Sequence, residues 1–358
     1  ANDKAARVLV GLISPRAHAL VGLADPPAAL ALLETSLAAV GRGDEATVVS
    51  ELRALAADLD APTVEWLRAR PLPALQATHG ALSRTALVTH VVPTAGRHVL
   101  LDVAAAIAGV QGKILRSDLS ELGVTARDRV TSRSGHPTRV LFDRVARLLG
   151  VDDVELVITS RASRTRVLAH DEPWVVIPAS LVDQGEPAQL ASISRALARI
   201  ALGMPWLDEL PKENILALLV AAARQVAAGY GPGEPGLARQ YEASLSRTLS
   251  RRQKKLLEEL APRLASPQAG LPPVDAFVEA MFQAELRTQF LITGDLQGAV
   301  EEESERDPAL AEATAVPGAR AVAATLLHPL VSDVVRFALT AEATDFRRRL
   351  GSIWAGSP

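Results

Sequence analysis

The chain has 358 residues, a formal net charge of −3 and 48% hydrophobic residues, enough to bury a substantial core in two or three domains. It contains no cysteine, which excludes disulfides, thiolate metal sites and a cysteine nucleophile; its mild acidity creates no global field toward nucleic acid or an anionic membrane. Aromatic residues make up only 3%, so the core must rest on Leu, Val and Ala, and alanine in such amounts favours helix.

The opening stretch ANDKAARVLVGLISPR has too short an apolar core for a secretory signal. The longest uncharged apolar run of note, Asn214 to Ala223, falls well short of the roughly 18 residues of a membrane span. A soluble, cytoplasmic chain without membrane contact is expected. The chain begins at Ala1 without an initiator methionine, which reads as a boundary within a longer polypeptide.

Residues 1–92 read as a helical N-terminal region, with Ala/Leu helices over about Pro27–Val40 and Glu45–Leu59. Between them lies GRGD. The tripeptide Arg42 to Asp44 matches an adhesion motif, but here it fits a helix stop followed by an acidic helix start.

Residues 93–264 form the expected middle region. From Arg97 the stretch HVLLDVAAAIAGVQGKILRSDLSELG reads as continuing helix, and the polar break TSRSGHPTR follows. That break offers Ser134, Gly135, His136 and Arg139 at a helix N-terminus, a candidate anion site. The same residues also fit a capped helix start with Pro137 in its first turn. An enzyme of unidentified class, working from a pocket near Ser134 and His136, is therefore one functional alternative. VELVITS, RVLAH and PWVVIPAS then read as three short strands between Val151 and Ser180.

QLASISRALARIALG follows as an apolar helix. Leu190, Ile193, Leu197, Ile200 and Met204 fall on one stripe at helical spacing, which sets Arg195 and Arg199 on the opposite face, exposed to solvent. After the loop MPWLDELP, the segment PKENILALLVAAARQVAAG reads as a second, nearly buried helix. AGYGPGEPG, residues 228–236, follows a helix and lacks a Gly-Lys-Ser/Thr ending, so it is a linker and not a phosphate loop.

SRTLSRRQKKLLEELAPRL reads as one amphipathic helix with a candidate basic patch at Arg251, Arg252, Lys254 and Lys255. The patch suits an acidic partner or, over Arg247 to Lys255, nucleic acid; Glu258 and Glu259 also make it fit an ordinary solvated face. Overall acidity and scarce aromatics disfavour nucleic acid. Residues 265–358 read as a helical C-terminal region in which Phe277, Phe282 and Phe290 are spaced as packing residues.

No two of the seven histidines have the His-Glu-x-x-His spacing that lets one helical face share a zinc ion. Neither a Gly-x-Ser-x-Gly elbow nor a Ser-x-x-Lys pair is present. The sequence points to no metal and no cofactor.

Over about residues 137–226, the order of strands, a connecting V-I-P-A-S-L, a short turn, a helix, a loop and a second buried helix resembles the core of the gluzincin metallopeptidases. In that family a strand runs beside the substrate, the first helix carries His-Glu-x-x-His and the second supplies a glutamate ligand. The resemblance sets Arg195 at the first histidine, Ala196 at the glutamate and Arg199 at the second histidine. It implies a degenerate, zincin-like core without zinc, whose former cleft at these three positions is a candidate partner groove. Glu213 is at most an early-turn residue of the second helix.

The segments RARPLP, ELGVTARDRV, SGHPTR, IALGMPWLDELP, FLITGDL and RFALTAEATDFRRRLG are similar to the C-terminal region of large tetratricopeptide-repeat proteins of high-GC bacteria, which implies an assembly or scaffolding role. The expectation is an α+β, predominantly α-helical chain, with helical N- and C-terminal parts around a small sheet-plus-helices core. Its expected function is a non-catalytic module for an unidentified protein partner. The sequence does not set the oligomeric state.

Overall fold

A computed structural model describes residues 26–70, 78–115, 119–125, 128–170, 172–231, 236–266 and 269–353. The opening stretch up to residue 25 and residues 232–235 of the expected linker lie outside these, as do parts of RARPLP and ELGVTARDRV. The described residues are predominantly helical with a three-stranded sheet, an α+β fold. It divides into two compact units, residues 1–76 with 286–358 and residues 77–285. Both ends of the expected middle segment, 93–264, fall inside the second unit.

The first unit begins with α1 (Pro26–Ala39), α2 (Gly43–Leu55) and α3 (Ala61–Ala69). The first two pack together, burying Leu30, Leu33 and Leu37 with Val48, Val49 and Leu52. Gly41, in the left-handed region, ends the first helix; Arg42 then occupies the N-cap of the second, with Asp44 and Glu45 in its first turn. The Arg-Gly-Asp stretch is thus turn and helix start, and the Asp44 carboxylate is buried against Arg347.

In the second unit, a helical turn at Arg84–Ala86 runs into a π-helical turn at Leu87–Val91, followed by α4 (Val99–Ala106), α5 (Gln111–Leu115) and α6 (Pro137–Leu149). The continuous helix expected after Arg97 is therefore broken. The break falls at Gly109, whose φ of +82° is left-handed and stops the first helix, while Gly112 in the next helix lets it approach the His170 backbone, where a Cβ would come within 2.0 Å.

The strands are β1 (Glu155–Thr159), β2 (Arg166–Leu168) and β3 (Trp174–Pro178), in the spatial order β1-β3-β2. β1 runs parallel to β3, with Val157 opposite Val176, and β2 runs antiparallel, with Val167 opposite Val175. Central β3 is buried along its whole length, which is why WVVI is a continuous apolar run and not an alternating one. It leads through α7 (Ala179–Asp183) into α8 (Glu186–Ala201), and α9 (Lys212–Arg224) follows.

The single amphipathic helix expected over residues 246–264 is two helices, α10 (Gly236–Thr248) and α11 (Arg251–Leu264). Ser250 divides them. Its hydroxyl caps the Gln253 N–H at 3.3 Å while the Gln253 Oε1 accepts the Ser250 N–H at 3.0 Å, a capping box that starts a new helix. The unit boundary falls within α12 (Val274–Thr293), between Glu285 and Leu286.

The first unit is completed by α13 (Leu296–Ser304), α14 (Pro308–Thr314), α15 (Ala319–Leu327), α16 (Pro329–Ala338) and α17 (Ala341–Leu350). These C-terminal helices grip the N-terminal pair through buried polar contacts. Glu51 of α2 accepts the Leu296 and Gln297 N–H groups at 2.6 and 2.8 Å, and Arg42 donates to the Leu339 carbonyl at 2.8 Å. Among the described residues no single helix is long and apolar enough to cross a membrane; α15 and α16 together reach that composition only across a 90° bend.

Candidate functional site

The helix that carries the positions of interest, α8, starts after Gly185, whose φ of +95° few other residues tolerate, and holds Pro187 in its first turn. It packs against α6, α7 and β2. Every residue from Gln189 to Arg199 is buried.

Its uncharged polar side chains are hydrogen-bonded one by one. The Thr138 hydroxyl donates to Gln189 Oε1 at 2.7 Å, and Gln189 in turn donates to the Val182 carbonyl at 2.9 Å. The Ser192 hydroxyl donates to Thr165 Oγ1 at 2.7 Å, and Ser194 returns its hydroxyl to the Leu190 carbonyl at 2.6 Å.

The expectation of two solvent-exposed arginines is overturned. Arg195 is 1% exposed and Arg199 2%, whereas Ile200, expected on the buried stripe, is only half-buried. For Arg199 the physical reason lies outside the helix. Arg199 donates from Nε and Nη2 to the two carboxylate oxygens of Glu285 on α12, both at 2.7 Å, and a third nitrogen, Nη1, donates to Asp208 in the loop before α9.

Glu285 is 0% exposed, so this is a buried, bidentate ion pair with a second carboxylate beside it. Desolvation opposes the guanidinium charge, yet Glu285 and Asp208 hold Arg199 protonated, above its ordinary value. The Phe282 ring lies 6.0 Å from the guanidinium carbon. Ala196, between the two arginines, is 4% exposed.

A guanidinium has five donors and no acceptor, and a methyl group moves no proton; these three side chains neither ligate a metal nor activate water. Among the described residues no three His, Asp or Glu side chains are grouped to hold a metal ion. Glu213 is exposed in the first turn of α9.

No protein-family model, curated protein or solved structure matches this chain.

The loop before α6 is a self-contained cap. The Ser134 hydroxyl donates to the Thr131 carbonyl at 2.7 Å, Gly135 takes the left-handed conformation, and His136 Nδ1 accepts the Thr138 N–H at 3.2 Å. Arg139 donates to Asp143 at 2.8 Å and to the Val130 carbonyl at 3.0 Å. An open cavity of about 450 Å³ borders Arg139, with Asp143, Asp152, Asp153, Glu155 and Glu172 in its wall against Arg139 and Arg147. Carboxylates outnumber guanidiniums here, so the field does not favour an anion.

The basic patch lies elsewhere. Arg251, Arg252, Lys254 and Lys255 are all exposed on the first turns of α11. The structure brings together neither this patch, the α6 cap nor the arginines of α8, although Thr138 beside the cap does reach α8.

Sequence reasoning did not find Asp208 or Glu285, which lie 9 and 86 residues from Arg199. One signal was present. The supposed solvent face of α8 reads Ala191, Ser192, Ser194 and Ala198, small residues suited to close approach by other elements, not the Lys and Glu of an exposed face.

Proposed function

We propose that this chain is a non-catalytic interaction or scaffolding module of a larger bacterial, cytoplasmic polypeptide, built around a gluzincin-like centre that an ion network has replaced. The observation that carries the reading is the position of Arg199. The residue set against the second histidine of the zinc motif is buried and locked to Glu285 and Asp208. Ala196, set against the catalytic glutamate, is buried beside it.

The order of elements supports the resemblance: strand β3, the short α7, the buried α8, a loop and the buried α9. Protein contacts fill the centre where a metalloenzyme keeps an open coordination position. With α8 covered, a partner binds the exposed surface and not Arg195, Ala196 or Arg199.

Metal analysis of the purified protein, together with hydrolysis of a mixed peptide library, tests this reading. The expected result is less than stoichiometric zinc and no cleavage product by mass spectrometry. Stoichiometric zinc with cleavage that a chelator abolishes would overturn it.

A further inference from the structure

We infer that the first turns of α11 are a docking surface for an acidic segment of a partner protein; this rests on the interaction-module reading and names the partner's chemistry. Arg251, Arg252, Lys254 and Lys255 are exposed, and none forms an ion pair with a described residue. Exposed arginines elsewhere, such as Arg133 and Arg239, also lack an ion pair; what sets this turn apart is that four cations fall within five residues. Arg263 on the same helix is 57% exposed and still reaches Asp102 at 2.6 Å, and Arg129, Arg139 and Arg224 likewise reach carboxylates.

The four cations also sit at the wrong end of the helix. An α-helix collects positive partial charge at its N-terminus, where Asp and Glu are the stabilising choices, and α11 has no acidic residue in its first turn. The like charges and the helix end repel one another in the free protein, and an incoming carboxylate relieves both.

The turn is anchored by hydrogen bonds at both ends of Gln253. In the Ser250 capping box the third helical residue is Gln253, and its amide Nε2 donates to the Ala108 carbonyl at 2.9 Å. A glutamate there would complete the box but could not make that donation, and would cancel part of the positive field. The neutral residue fixes the turn against the end of α4 and leaves the cations facing outward.

The same helix selects protein over nucleic acid. Glu258 and Glu259 on the next turn confine the positive field to the first turns, a length that fits a short acidic segment and not a long phosphate chain, and α11 has no aromatic side chain on which bases could stack. Leu256 is 39% exposed and lies one turn beyond Arg252 on the same face. Cations bordering an exposed leucine and then carboxylates suit a short acidic segment that carries an apolar residue.

Fluorescence anisotropy on the full chain tests the proposal. The probes are a labelled glutamate-rich peptide interrupted by leucines, its Gln-for-Glu counterpart, and an oligo(dT) of equal charge, each titrated across salt. The parent protein is compared with Arg251→Glu/Arg252→Glu/Lys254→Glu/Lys255→Glu, with the milder Lys254→Gln/Lys255→Gln, and with a charge-matched control, Arg68→Glu/Arg133→Glu/Arg239→Glu/Arg349→Glu.

The acidic peptide should bind the parent with salt-sensitive affinity, weaken about tenfold or more in the charge-reversed variant and by an intermediate amount in the glutamine variant, and change little in the control. The Gln-for-Glu peptide should not bind. Absence of binding, equal weakening in the control, or oligo(dT) binding as tight as the peptide each overturns the docking surface. The recovered peptide's mass separates the two readings: a shortened peptide means hydrolysis and sinks the non-catalytic module, whereas an intact, unbound peptide sinks only the patch.

Discussion

Arg199 stands or falls with its partners. Removing the guanidinium leaves Glu285 as an uncompensated buried charge, so Arg199→Met should cost about 3–5 kcal/mol in urea unfolding. Arg199→Met/Glu285→Leu should cost less than that single change, because no buried charge is then left unpaired; Asp208, 13% exposed, can be solvated. A single-variant loss below about 1 kcal/mol would mean that the network does not hold α8 in place. In the first unit, Glu51 behaves differently. Burial pushes its carboxyl up from 4.5 to about 7, against the pull of Arg70 and the Gln297 N–H. The folded state then holds a proton that the unfolded chain releases, so Glu51 favours folding below about pH 4.5 and that contribution is lost as pH rises toward 7. The stability difference between the parent and Glu51→Gln should change across that window with a slope of up to about 1.4 kcal/mol per pH unit.

Helix ends set the limits of the elements, and the contacts at those ends are specific. Gly203 closes α8 with a φ of +82°, and a Cβ there would meet the Ala105 Cα at 2.9 Å. Gly203→Ala combines a left-handed alanine with a backbone clash, for an expected loss of roughly 2–4 kcal/mol in thermal or urea unfolding. Ser250→Ala removes one half of the capping box that divides α10 from α11 and should cost about 1 kcal/mol, with local hydrogen exchange rising at the start of α11. The split was legible only in part. Ser250 followed by Gln253 is a capping-box spacing in the sequence, but amphipathic periodicity runs through Leu249 on both sides and hides it. The break at Gly294 and Asp295 likewise needs the left-handed glycine and the Asp295 cap on Gly298 at 2.9 Å.

At the scale of the whole molecule, the first unit depends on both ends of the chain. Asp44 pairs with Arg347, Glu51 caps the start of α13, and the Gly318 N–H donates to the Leu55 carbonyl at 2.7 Å. Truncation after Thr293 should therefore leave residues 77–285 protected in hydrogen exchange while residues 26–70 lose protection. Equal protection of residues 26–70 in the truncated and full-length chains would refute the interdependence of the two ends.

By itself the sequence determined what is local: helix from alanine and leucine periodicity, three strands from β-branched runs, the Pro137 helix start, and the lack of cysteine and of a zinc-binding histidine pair. Such features are written in neighbouring residues. Only the tertiary structure decided which side of α8 meets solvent, because Glu285 comes from a helix 86 residues away and Asp208 from a loop. Helical spacing assigns an arginine to the polar side, but burial follows the availability of counter-charge in three dimensions. The same cause separates the two kinds of basic residue in this protein: those on α8 lie within the packed core, while those at the start of α11 meet no carboxylate and face outward.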